Sequence, residues 1–213
     1  MKLEKLEPLG EHSGRLLLVL ENGERLKTAQ TVAADLGLYA GMELSDETLS
    51  GLREAVKKAA VRQRAARIVS ATAISEKELR RRLVRKGESP EDADEAAGWL
   101  KNLHFLDDGE TAAQLARAAA QKGYGPARIR NILREKGIPQ ELWDEAMAGL
   151  PGPDGAIDKF LRQRFGGEAP DEKTVKKTVD ALLRRGHSWR AIADGLRRYQ
   201  QDLELQEPDM EEP

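Results

Sequence analysis

The chain has 213 residues, 34% of them charged and 4% aromatic, a formal net charge of −2 and no cysteine. That length can bury a real core in one large domain or two, and the charge-rich, aromatic-poor profile suits exposed helices better than a β-sandwich. Disulfide and thiol chemistry are excluded. The start, Met1-Lys2-Leu3-Glu4, lacks the apolar core of a signal peptide, and the longest aliphatic run, residues 16–20, is too short to span a bilayer. A soluble, cytoplasmic protein without a membrane partner is expected.

Residues 1–44 read as a small β-rich N-terminal domain. Residues 3–6 and 15–21 have strand character, Asn22-Gly23 favours a type I′ hairpin turn, and residues 24–28 form the returning strand. Thr28 or Thr31 caps a short helix ending at Gly37, Arg15 and Lys27 are exposed cations, and the domain closes over residues 41–44. Residues 45–106 hold a linker helix and a first three-helix repeat. Ser45 caps the long helix, with Leu49, Leu52, Val56, Ala59, Ile68 and Val69 on its apolar side. Ser75 with Glu78 makes a capping box for the next helix, which ends at Gly87. Ser89-Pro90 starts a third, with Ala93, Ala96, Ala97 and Leu100 inward.

A second repeat, residues 107–150, opens at Asp107-Asp108, restarts at Gly125-Pro126 and begins its last helix at Pro139, with Trp143 and Met147 as core candidates. After the hinge Pro151-Gly152-Pro153 comes a third repeat, residues 151–201. Residues 202–213 carry six acidic residues and no basic one, and are expected to be a disordered acidic tail. Between them, residues 61–201 carry 27 cations against 21 acids, a basic body that suits a polyanion or an acidic protein surface.

One pattern organises the repeats. Residues 79–87 read Leu-Arg-Arg-Arg-Leu-Val-Arg-Lys-Gly, and the pattern returns at 129–137 and, more loosely, at 178–186. Gly87, Gly137 and Gly186 stand 50 and 49 positions apart, a period that signals a repeat array. A leucine lies four positions before each glycine (Leu83, Leu133, Leu182) and a cation immediately before it (Lys86, Lys136, Arg185). The leucine marks the buried helix face, and the glycine ends the helix in a left-handed conformation. The cation is already accounted for by the negative end of the helix dipole.

No constellation of residues points to catalysis. His12, His104 and His187 lie in separate segments without a second ligand at zinc spacing, and Asp107-Asp108 reads as a helix cap before it reads as a magnesium site. Gly123-Tyr124-Gly125 lacks the Lys-Ser/Thr of a phosphate loop. The expectation is a protein that is not an enzyme and needs no metal or cofactor. Its cations are better placed. Lys77, Arg81 and Arg85 recur at i, i+4, i+8, Arg80 has its counterpart in Arg130, and Arg134 extends that second face by a turn. With Lys86, Lys136, Arg184 and Arg185 they form the candidate partner-binding or DNA-binding set. The competing reading is ordinary solvated surface with intrahelical pairing. Tyr124, Trp189 and Tyr199 are the aromatic residues expected outside the cores.

Ser75-x-x-Glu78-Leu79-x-x-x-Leu83-x-x-Lys86-Gly87, residues 103–108 (Leu-His-Phe-Leu-Asp-Asp), residues 129–137 and Leu183-Arg184-Arg185-Gly186 together resemble RecX, the regulator of the RecA recombinase. Residues 3–8 and 41–45 resemble the extra β-rich domain that many RecX proteins carry. The chain departs from the pattern at Thr72, where the family commonly has arginine, and at Thr111, where it favours an aromatic residue. The resemblance implies a monomer that binds the RecA–DNA filament in its groove, with weak, sequence-indifferent contact to single- or double-stranded DNA. It would modulate recombination, strand exchange, ATP hydrolysis and the SOS response, usually by inhibition. The fold implied is mostly α, three tandem three-helix repeats in an elongated, curved stack behind the β-rich domain. The alternative is a stand-alone DNA-binding module of helix-turn-helix type.

Overall fold

Alternation along residues 15–20 places Leu16, Leu18 and Leu20 on one face. In the computed structural model, which describes residues 1–10 and 13–205, these three are buried and Arg15, Leu17 and Val19 are half-exposed. They lie on β2 (Arg15–Leu20), the central strand of a three-stranded antiparallel sheet between β1 (Leu3–Pro8) and β3 (Arg25–Ala29). The β2–β3 turn is not the expected type I′. Within it, only Gly23 has a positive φ (82°); its N–H donates to the Leu20 carbonyl at 2.8 Å, and the Leu20 N–H donates to Glu24 at 2.9 Å. A type I′ turn needs positive φ at both central residues, whereas a three-residue loop needs it only at the glycine. The short helix α1 (Gln30–Asp35) likewise starts differently: Ala29 is its N-cap, and Thr28 is a buried residue of β3 paired with Leu16.

The chain returns to the sheet over residues 41–44. The Leu3 N–H donates to Met42 at 2.9 Å, Gly41 to Leu3 at 2.7 Å and Leu44 to Met1 at 2.8 Å. Ser45 Oγ then accepts the Thr48 N–H and starts α2 (Asp46–Ala71), as its sequence predicts. This helix has two jobs, and its buried positions shift accordingly. Leu49 and Leu52 pack with Leu3, Leu18 and Leu20 under the sheet, whereas Val61, Ala65 and Ile68 are buried further along. Val56, Ala59 and Val69 are only half-buried.

Two compact units result. The first comprises residues 1–72 with 78–106, and so holds the sheet, α1, α2, most of α3 (Glu76–Arg85) and α4 (Pro90–Asn102). The second comprises Ala73–Lys77 and the chain from Asp107 onward. It contains the triplet α5 (Asp108–Gln121), α6 (Pro126–Glu135) and α7 (Trp143–Ala148), the last entered through a 3-10 turn, Gln140–Leu142. The final triplet is α8 (Asp154–Phe165), α9 (Glu172–Arg184) and α10 (Trp189–Glu204). Helix α10 runs three residues beyond the expected repeat end at 201; residues 206–213 of the acidic tail, and His12, lie outside the described residues.

The repeated pattern has a single physical form. Leu83, Leu133 and Leu182 are each fully buried, and Gly87, Gly137 and Gly186 take φ of 94°, 74° and 87°. In all three, the glycine N–H donates three residues back and the following N–H donates to the buried leucine: Glu88 to Leu83 at 3.2 Å, Ile138 to Leu133 at 3.0 Å and His187 to Leu182 at 3.2 Å. This is the Schellman closure, which satisfies carbonyls that a helix end leaves open. Two core assignments change. Trp143 and Met147 flank the buried Ala146 and are themselves half-buried. Tyr199, expected outside, is 7% exposed in the third core, edge-on to Phe165, with its hydroxyl donating to the Glu168 carbonyl at 3.1 Å.

Candidate functional site

The candidate cations fall into three groups. On α3, Arg81 and Arg85 converge on Glu78, at 2.6 and 3.0 Å, and Arg80 Nε lies 2.8 Å from Asp94 on α4. Arg80, Arg81 and Arg85 line one groove between α3 and α4, with Val84 42% exposed beside them and with Glu78 and Asp94 in the same wall. Lys86, at the end of this helix, is exposed and has no ion-pair partner among the described residues. The expected stripe is therefore present on α3 as two arginines sharing one carboxylate.

In the second unit, Arg130 on α6 reaches Asp144 on α7 at 3.9 Å, and Arg134 donates to Asn131 Oδ1 at 2.8 Å. The Arg80–Asp94 and Arg130–Asp144 pairs have the same spacing of fourteen positions and link the same two helices of successive triplets. The third triplet has Val179 at the corresponding site, buried at 7% exposure, which is one reason its sequence match is looser. Lys77 leaves the stripe. Its stem covers Gly137, where an added Cβ would sit 3.1–3.3 Å from three of its carbons. Beside it, Ser75 Oγ donates to the Lys136 carbonyl and the Glu76 N–H donates to Asp108 Oδ1 at 2.8 Å.

The third group is at the end of α9. Arg184 is exposed, whereas Arg185 is fixed: it donates to the Lys122 carbonyl at 3.0 Å, with its guanidinium carbon 4.8 Å from the Phe160 ring centre and 5.9 Å from that of Tyr124. The backbone follows it. The Gly125 N–H donates to Arg185 at 2.9 Å and the Ala127 N–H to Gly186 at 3.2 Å. His187 is 4% exposed, and its Nε2 lies 3.1 Å from the Gly123 carbonyl, which can only accept. Burial above all, and the neighbouring Arg185 charge, push its pKa below the usual histidine value, opposed by the bond to Gly123. The imidazole is thus neutral and donates through Nε2.

Chemically, this arrangement offers fixed positive charge and little else. Asp107 caps α5 by accepting from Gly109 and Glu110 at 2.7 and 3.0 Å, and Asp108 is used by Glu76. No group of three or more His, Asp or Glu able to hold a metal occurs among the described residues, and none of their helices is long and apolar enough to cross a membrane.

Residues 107–147, from the Asp107 cap into the last turn of α7, match the family model described as RecX, second three-helix domain. The regulatory protein RecX of Xanthomonas campestris pv. campestris (strain B100) is 37% identical over 121 residues, covering 55% of this chain and 74% of that protein. The chain belongs to the RecX family. A RecX protein of Salmonella arizonae (strain ATCC BAA-731 / CDC346-86 / RSK2980) is 32% identical over 151 residues, 62% of this chain and 90% of that one. The fold agrees with a crystal structure of regulatory protein RecX at a TM-score of 0.71 and 23% identity, covering 91% of this chain and 98% of the other.

Within this RecX chain, sequence reasoning missed the surroundings of Arg185, namely Lys122, Lys159 and Phe160. A signal was present. Lys122-Gly123 repeats the cation–glycine helix ending, with Gly123 at φ 73° and the Tyr124 N–H donating to Ala119 at 3.2 Å, but alanine stands where the other endings have leucine. Tyr39 and Phe105 are exposed rings that composition did not single out, whereas Trp189 is exposed as expected.

Proposed function

We propose that this chain binds the RecA–DNA filament and restrains the recombinase, acting as a cytoplasmic monomeric regulator of recombination, strand exchange and the SOS response rather than as an enzyme. Membership of a family whose curated relatives are named regulatory proteins supports the regulatory part. The observation that carries the binding part is the repeated arginine. Arg80 and Arg130 occupy the same place in successive triplets, each tethered to an exposed aspartate. A filament is itself periodic, so a partner that repeats its contact residue can engage several protomers with one chain, and each engagement raises the effective concentration of the next. The exposed ion pairs are worth little to the folded chain and so can exchange for contacts with phosphate or carboxylate. Such binding alters the recombinase only through unequal affinity for its filament states. Co-sedimentation with RecA assembled on single-stranded DNA tests the reading: the chain should pellet with the filament, and a chain left in the supernatant at excess filament contradicts it.

A further inference from the structure

Several clefts among the described residues are lined by cations, and their electrostatics differ: the one lined by Arg15, Lys27 and Arg62 also holds Asp35. In the groove between α3 and α4, the arginines are matched by Glu78 and Asp94 within the same wall. In the second unit, a cleft of about 530 Å³ opens between the end of α5, the Pro151–Gly152–Pro153 connection and the first half of α8. Lys122, Lys159 and Arg185 line it, and none of its lining residues is acidic. The carboxylates nearest in sequence, Asp154 and Asp158, are drawn to Arg198 on α10, at 3.3 and 2.8 Å. Lys122 and Lys159 are exposed and have no ion-pair partner among the described residues. Three cations around one depression without a counter-ion repel one another and focus a positive field into it.

The cleft also contains flat surfaces. Arg185 lies over Phe160 and near Tyr124, held by its bond to the Lys122 carbonyl, so guanidinium and rings form an ordered, half-buried platform instead of mobile side chains. The exposed amide of Gln163 stands at the rim. Cations for phosphates, a planar platform for a base and an amide for its edge form the combination that single strands require. A duplex keeps its bases stacked inward and could use only the cations.

We propose that this cleft, framed by Lys122, Lys159 and Arg185 and floored by Tyr124 and Phe160, is a binding site for single-stranded nucleic acid. It extends the filament reading by locating where a strand is held. The test omits RecA, so either idea can fail without the other.

The measurement is fluorescence anisotropy of a labelled oligothymidylate titrated with the full chain at several salt concentrations. Lys122→Ala and Lys159→Ala should each flatten the dependence of log K on log salt by about 0.7, the value for one phosphate contact on a single strand. Gln163→Glu, which places a carboxylate in the cleft from an exposed position, should weaken binding about tenfold without moving the thermal midpoint. Phe160→Leu should weaken the oligonucleotide by about fivefold or more, through lost stacking, and leave heparin binding unchanged. Unchanged salt slopes in both lysine variants would overturn the site. So would equal affinity for heparin and oligonucleotide together with no effect of Phe160→Leu, or loss of binding on Arg81→Glu with Arg85→Glu while the cleft variants bind normally.

Discussion

Gly125 and Gly186 meet backbone to backbone: a Cβ placed on Gly125 would lie 2.4 Å from the Gly186 carbonyl oxygen, and one on Gly186 would lie 2.3 Å from the Arg128 nitrogen. Here the N-terminus of α6 sits on the C-terminal closure of α9, and open N–H groups at one helix end find open carbonyls at another. One repeat earlier in the chain, the Ser75 hydroxyl donates to the Lys136 carbonyl, as the Gly125 N–H donates to that of Arg185. The fifty-residue period thus extends beyond a shared helix ending to a shared hydrogen bond, from the residue before one middle helix to the carbonyl before a closing glycine.

The joint predicts a stability pattern. Gly125→Ala leaves its neighbour, a backbone carbonyl, nowhere to move, so it should cost about 2–3 kcal/mol, within the range for overpacking. Gly186→Ala adds a left-handed backbone to a similar clash and should cost at least as much. Gly51→Ala, on an exposed face of α2 with nothing within 4 Å, should instead stabilise by about 0.5–1 kcal/mol. Urea denaturation of the three variants measures this, and similar midpoints for all would contradict the packing described.

His187 fills the place that Ile138 fills one repeat earlier, immediately after the closing glycine and against the buried leucine. Because burial lowers its folded pKa below the value near 6.5 that it regains on unfolding, its contribution to stability is complete above about pH 6.5. That contribution is lost as pH falls through the folded value. Melting temperature should be flat from pH 8 to 7 and decline on acidification. His187→Gln, which cannot be protonated, should decline less steeply between pH 7 and 5; parallel profiles would show that another group controls the loss.

Arg80 and Arg130 separate binding from folding. Both ion pairs are exposed, so Arg80→Ala with Arg130→Ala should change the unfolding free energy by no more than about 1 kcal/mol. If these arginines meet the filament, co-sedimentation of the double variant should weaken about tenfold or more, and weaken less for either single change. Wild-type pelleting by the double variant would reduce both residues to ordinary surface.

Much of this architecture was legible because helix ends are local. Ser45, Ser89, Asp107 and Asp171 cap within three residues, and the cation–glycine endings follow from conformations available to single residues. What escaped depended on contacts distant in sequence. Tyr199 is polar-tipped and near the end of the chain, and only its bonds to residues 167 and 168 explain its burial. The β2–β3 turn misled because Asn-Gly is compatible with two loop lengths, and strand register selects between them. Lys77 and Arg185 fit a surface pattern in sequence, yet one is packed over a glycine and the other bridges two triplets. Spacing places a charge on a helix face, but not whether another repeat covers that face.

On the proposed reading, this RecX chain acts on a RecA–DNA filament. The most direct test is the rate of DNA-dependent ATP hydrolysis by RecA on single-stranded DNA, followed while the intact chain is added. The rate should fall as the chain is titrated and saturate at fewer than one chain per protomer, because each bound chain would span several. A rate unchanged at stoichiometric excess would contradict it.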